Sequence, residues 1–287
     1  MTIQDTSRVA GVARGDAKPA PAKTPRPIRR LPVQKDWPSW AIVAVQIGIL
    51  VGIIALWEIG ARAGLIDGFF WSQPSAIWRT FIIFFTEGDA WTDIGFTFRS
   101  TIIGFIIGTT AGSLLGLSFW WSRNYAAIAQ PYIICMESIP KLALAPLVIL
   151  VFGLGLASKV VIAVALTIVV STLTAYAGVK ALDPDNEKLF YSLGASRWQV
   201  FRKLVMPFCL PWIISVLRIN IGLALTGAIV GEFIASQHGL GRTIFYAGST
   251  YEIALVWVAV FVLSVLAVLM YVVVSWIENI LRKGTRQ

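Results

Sequence analysis

Six apolar runs dominate the chain, at about 41–61, 95–119, 126–152, 158–179, 208–233 and 253–277. Each is long enough to cross the hydrocarbon core of a bilayer as a helix, which takes about 20 residues. A backbone in lipid must satisfy its own hydrogen bonds, so runs of this kind read as helices. The expectation is an all-α polytopic membrane protein with six transmembrane helices. Composition agrees: 57% of the 287 residues are hydrophobic and only 14% are charged, against about 25% charged in soluble domains. Cys135 and Cys209 both lie in apolar runs and read as small buried hydrophobes, not as a disulfide or a metal site.

One polar, basic island interrupts this pattern, Ala181–Pro207. Asp183-Pro184 is a helix start, with Asp as N-cap and Pro at the first helical position. Leu189, Phe190 and Leu193 then share a face at helical spacing. Gly194 stops this helix as a residue able to take positive φ. Ser196 opens a second helix, and Gln199 three residues on completes a capping box. Trp198, Phe201 and Leu204 form its apolar face, and Pro207 is expected to close the unit. The island reads as two short amphipathic helices meeting at a glycine elbow on a membrane surface.

The spacing of Gly194, Leu204 and Met206-Pro207 resembles the EAA loop of binding-protein-dependent ABC importer permeases. The wording Leu193-Gly194-Ala195-Ser196-Arg197-Trp198 is most similar to the nitrate/sulfonate/taurine branch. So is Ile139-Pro140-Lys141-Leu142-Ala143-Leu144-Ala145-Pro146-Leu147, followed by Phe152-Gly153-Leu154-Gly155. Lys188-Leu189-Phe190 stands where the family carries Glu-Ala-Ala, and Glu187 falls one place early. Whether Glu187 or Lys188 takes the family glutamate's role stays open.

Residues 1–38 are rich in Pro, Ala, Lys and Arg, with Arg26, Arg29, Arg30 and Lys35 ahead of the first span. They read as a disordered basic cytoplasmic tail before an uncleaved anchor, with residues 39–287 as the membrane domain. The tail lacks aromatic interleaving, so nucleic acid is not an expected partner. Between spans one and two, Trp71, Trp78 and Trp91 suit an interfacial belt, and Ser72-Gln73-Pro74 suggests the start of a surface helix. Span two carries Gly104, Gly108, Gly112 and Gly116 at every fourth position, a face where another helix can approach closely. Span three is interrupted by Pro131, Pro140 and Pro146. Its Glu137 and Lys141, at i and i+4, can pair on one face; an intramembrane pair is a functional candidate, and a structural ion pair is the competing reading.

The tail, the 120–124 turn, the island and the C-terminal Arg282, Lys283 and Arg286 are basic, and six spans put all four on one side. The positive-inside rule assigns that side, with both termini, to the cytosol of a bacterial inner membrane. No Gly-x-x-x-x-Gly-Lys-Ser/Thr pattern is present and His238 is the sole histidine. The chain is therefore expected to be non-catalytic and to bind no cofactor itself.

The resemblance implies a type I, MetI-like permease fold with cytoplasmic coupling helices, packed with a second permease copy as a homodimer. It implies two ATPase subunits holding ATP and Mg²⁺, and an extracytoplasmic solute-binding protein. In that scheme Leu189, Phe190 and Leu193 fill a groove on the ATPase. Gly194 allows the elbow, with Ala195 and Ser196 turning the chain. Glu187, Lys188, Arg197 and Arg202 fall in the same contact region. The branch carries small anions such as nitrate, alkanesulfonates and taurine. Arg218 is the first candidate counterpart for an anion and Lys141 the second; Glu137, Trp212, Asn220 and Glu232 are further candidates along the pathway. The competing class is a secondary transporter driven by an ion gradient. Against it stand the lack of an inverted repeat and the few intramembrane carboxylates.

Overall fold

The computed structural model describes residues 38–284, with side chains to residue 282. Residues 1–37 of the proposed tail and the last basic residue, Arg286, lie outside the described residues.

The elements in order are α1 Ser39–Arg62, α2 Gly68–Trp71, α3 Pro74–Thr86, α4 Ala90–Ser118, α5 Arg123–Ser138, α6 Ala145–Phe152, α7 Leu156–Lys180, α8 Pro184–Ser192, α9 Arg197–Val200, α10 Met206–Ile234, α11 Leu240–Ser249 and α12 Ile253–Gly284. By its contacts the chain divides into Met1–Leu50, which holds the opening turns of α1, and Val51–Gln287, which holds every other element. Among the described residues five helices are long and apolar enough to cross a membrane, and six crossings result if α5 and α6 count as one broken span.

The centre of the larger unit is a sandwich of α4, α7 and α10. The four-residue glycine repeat of α4 faces α7 along its whole length. A Cβ on Gly108 would collide with Thr167 Oγ1, and one on Gly112 with the Ile168 carbonyl oxygen. Only glycine permits this approach, so the repeat sets the distance between the two helices. Across the same sandwich, a Cβ on Gly227 of α10 would lie 2.8 Å from the Ala163 Cα. On the outer side of α10, a second core joins Phe84 of α3, Ile221 of α10, Leu240 of α11 and Val258, Val262 and Met270 of α12.

The prolines act unequally. Pro131 is accommodated inside α5, and Pro146 falls in the first turn of α6, where its missing N–H costs nothing. Pro140 makes the break. Ile139 before it is extended, as a residue preceding proline prefers, and the two helical arms bend by 77°. Pro207 does not close the island as expected. Helix continues from Arg197 to Ile234 because Phe201–Val205 widens to π geometry, with Met206 N–H bonded five residues back to the Phe201 carbonyl. The extra residue in that turn absorbs a proline that would otherwise stop the helix. Cys209 is buried, but Cys135 is exposed on α5, a helix that few other elements cover.

Candidate functional site: the coupling loop and the membrane path

The two helices of the island form with the caps read from the sequence. Asp183 accepts the Asp185 amide at 2.9 Å, and Pro184 occupies the first turn of α8. At the elbow Gly194 has φ +79°. The Gly194 amide bonds the Tyr191 carbonyl, and the Ala195 amide bonds the Phe190 carbonyl. Those two bonds are a Schellman ending, which requires the left-handed residue that glycine provides. Ser196 and Gln199 exchange both bonds of the capping box, at 2.7 and 3.3 Å.

The unit has two faces. The inner face is tied to the end of α4. Glu187 accepts the Trp120 indole N–H at 2.8 Å. Arg197 donates to the Trp121 carbonyl and lies over the Trp120 and Trp121 rings. Trp198 and Phe201 stack at 5.5 Å and reach Trp121. Phe190, Ala195 and Leu204 pack on a core of Leu117, Ala175, Val200, Val205 and Cys209. The outer face presents Leu189, 56% exposed, and Leu193, 77% exposed. Lys188 is there too, paired only with the equally exposed Asp185, and Arg202 is exposed with no ion-pair partner among the described residues. The helical face read from the sequence therefore splits: Leu189 and Leu193 point outward, while Phe190 turns inward. Of the two candidates for the glutamate position, Glu187 is tied to Trp120 beyond the end of α4, whereas Lys188 meets only the exposed Asp185 within α8.

The candidates in the spans fall into three settings. Glu137 and Lys141 pair at 3.3 Å across the Pro140 break, with the Lys141 side chain 15% exposed; the ammonium also bonds the Glu137 carbonyl. Arg218 donates to Glu278 of α12, a carboxylate only 3% exposed, and Arg282 takes the other oxygen of Glu278 at 3.1 Å. Trp212 is partly exposed, its ring packed against Gly178 of α7. Asn220 is fully buried and clamps the sandwich, donating to Thr109 of α4 at 2.9 Å and Ser171 of α7 at 2.6 Å.

Glu232 is also buried, in a network at the end of the sandwich away from the island. Its Oε2 accepts Thr97 Oγ1 at 3.0 Å and the Gly241 amide at 2.8 Å. Thr97 in turn accepts the Leu240 amide at 2.9 Å. Asp93 accepts the Gly239 amide at 2.8 Å and the Thr243 hydroxyl at 2.5 Å. Lys159, completely buried, donates to the carbonyls of Leu154 and Ala235. These groups pin the turn between α10 and α11. Glu232 stands out in the sequence, but Asp93, Thr97, Lys159 and Glu278 gain their roles only in the fold. For the acids and the lysine, a charge isolated in or beside an apolar run is the signal that was present.

Residues 104–287 match the family described as the binding-protein-dependent transport system inner membrane component. The chain belongs to this family. Among its relatives, the formylaminopyrimidine transport permease protein ThiX of Halalkalibacterium halodurans is 32% identical over 229 residues, 80% of this chain and 91% of the relative. The riboflavin transport system permease protein RibX of Chloroflexus aurantiacus is 28% identical over 86% of this chain and 90% of its own. The taurine transport system permease protein TauC of Escherichia coli is 26% identical over 82% and 87%. Two solved structures share the fold. A bacterial ABC transporter that imports the acidic polysaccharide alginate matches with TM-score 0.59 at 16% identity, covering 84% of this chain and 95% of that one. The inward-facing MetNI methionine ABC transporter matches with TM-score 0.54 at 19% identity, covering 67% and 93%. The protein is thus a multi-pass membrane permease of an ABC importer for a small solute, with the MetI-type fold. As a transport component it works with an ATPase and a solute-binding protein.

Proposed function

We propose that this permease docks one ATPase subunit on the outer face of α8 and works as a homodimer, with two ATPases and an extracytoplasmic binding protein. ATP and Mg²⁺ belong to the ATPase, and this chain hydrolyses nothing itself. Both termini and residues 181–207 are cytosolic. The observation that carries the docking reading is the pair Leu189 and Leu193, exposed on a helix that the rest of the loop holds rigidly. An exposed apolar pair next to Lys188, on a loop that also exposes Arg202, suits a groove with an acidic edge. ATP-driven closure of the ATPases then pulls the loop, and the Trp120–Glu187 and Arg197–Trp121 ties carry that motion to α4.

The proposed cargo is a small solute of the sulfonate and taurine kind, moving past the broken α5–α6 segment with Glu137, Lys141 and Trp212 along its path. A second reading is a small nitrogen heterocycle. It is suggested by the likeness to the formylaminopyrimidine permease ThiX, and the pairing of Arg218 and Lys141 with carboxylates of their own chain speaks against an anion, since neither is left as a free counterpart. Transport assays in proteoliposomes with taurine and with an aminopyrimidine as competing substrates separate the two.

Affinity purification of the tagged chain from mildly solubilised native membranes tests the importer assembly. A nucleotide-binding subunit should accompany the chain and be lost when residues 187–198 are scrambled. Retention of that subunit by the scrambled chain would overturn docking through this loop.

A further inference from the structure

We infer that the cavity between the α4–α5 corner, the end of α7 and the start of α8 seats the headgroup of an anionic phospholipid. The cavity has a volume of about 350 Å³, room for roughly ten waters at about 30 Å³ each. Arg123, Gln130 and Lys180 line it, together with Trp120, Tyr176 and Glu187. Arg123 is the first residue of α5 and Lys180 the last of α7. Neither makes an ion pair with a described residue; Lys180 lies over the Tyr176 ring at 4.7 Å. Glu187, the one carboxylate on the wall, is engaged by the Trp120 indole. Two cations thus face one occupied acid in a half-polar cavity.

Position makes the occupant a lipid. The long apolar helices α4 and α7 both end at this corner, with Trp120 and Trp121 at the interfacial level that tryptophan prefers. α5, which forms one wall through Ala126, Ala127 and Gln130, carries exposed Ile134 on that same helical face, one turn further along, where an acyl chain can lie. Basic pockets between transmembrane helices on the cytoplasmic side hold anionic headgroups. Because Trp120 and Glu187 form both the wall and the tie between loop and α4, a headgroup here touches the route by which the coupling loop moves the membrane helices.

Native mass spectrometry of the full-length chain in detergent, titrated with lipid, tests this without any ATPase, so its failure leaves the importer reading standing. Dioleoylphosphatidylglycerol should be retained at least fivefold better than dioleoylphosphatidylcholine. Arg123→Gln and Lys180→Gln should each weaken retention about fivefold, while the charge-preserving Arg123→Lys and the remote Arg79→Gln leave it unchanged. Equal retention of the two lipids overturns the site. So does a loss in Arg79→Gln as large as in Arg123→Gln, which would be general charge attraction. Glycerol 1-phosphate competing as well as the whole lipid also overturns it, since the occupant is then a soluble phosphate.

Discussion

The two ends of the α4–α7–α10 sandwich are held by different means. At the island end the contacts are aromatic and apolar, the polar ties lie near the surface, and an outward apolar face is left uncovered. At the other end the contacts are buried carboxylates, a buried lysine and backbone amides. Glu232 and Asp93 reach Thr97, Gly239 and Thr243 across 135 to 150 residues of sequence. A buried charge missing its partner is far costlier than a missing surface contact. The buried end is therefore built to stay put, and the island end to be moved by a partner.

Substitutions should expose that contrast in order of size. Glu232→Ala strips the Gly241 amide and Thr97 of their acceptor in a dry site and should cost about 3–5 kcal/mol. The check is a steep fall in the thermal midpoint of the detergent-solubilised protein, followed by size-exclusion chromatography. Gly108→Val forces a side chain into Thr167 on the facing helix and should cost about 2–3 kcal/mol, read the same way. Trp120→Phe keeps an aromatic ring, though a smaller one, and removes the indole N–H bond to Glu187. Its stability loss should be about 1–2 kcal/mol, with a larger fall in solute transported per ATP hydrolysed in proteoliposomes. Gln199→Ala removes half of the capping box and should cost about 0.5–1 kcal/mol, with coupling nearly intact. If Trp120→Phe destabilises as much as Glu232→Ala, the contrast between the two ends fails.

The same contrast explains which features are legible in the sequence. The caps at Asp183, Gly194 and Ser196 are local signals, spelled out within a few residues, and all three form. The glycine repeat of α4 is also local, although its partner α7 is not named by it. The inward turn of Phe190 was not legible, because it depends on a core supplied by α4, α7 and α10. Nor was the passage of helix through Pro207, since nothing in the sequence announces the π turn that absorbs it. The pairing of Arg218 with Glu278 joins residues 60 apart, and periodicity within either helix is silent about it. Asp93 lies just ahead of the second apolar run, and only the return of the α10–α11 turn beside α4 buries it.

The most direct measurement is ATPase retention by the Leu189→Asp, Leu193→Asp double variant, purified in parallel with the parent chain. Both positions are exposed and belong to neither apolar core, so the variant should keep the parent's stability within about 0.5 kcal/mol, read as an essentially unchanged thermal midpoint. The expected result is a folded permease that no longer brings its nucleotide-binding subunit and no longer supports ATP-driven uptake. A folded variant that retains the ATPase and transports normally would contradict docking through the outer face of α8.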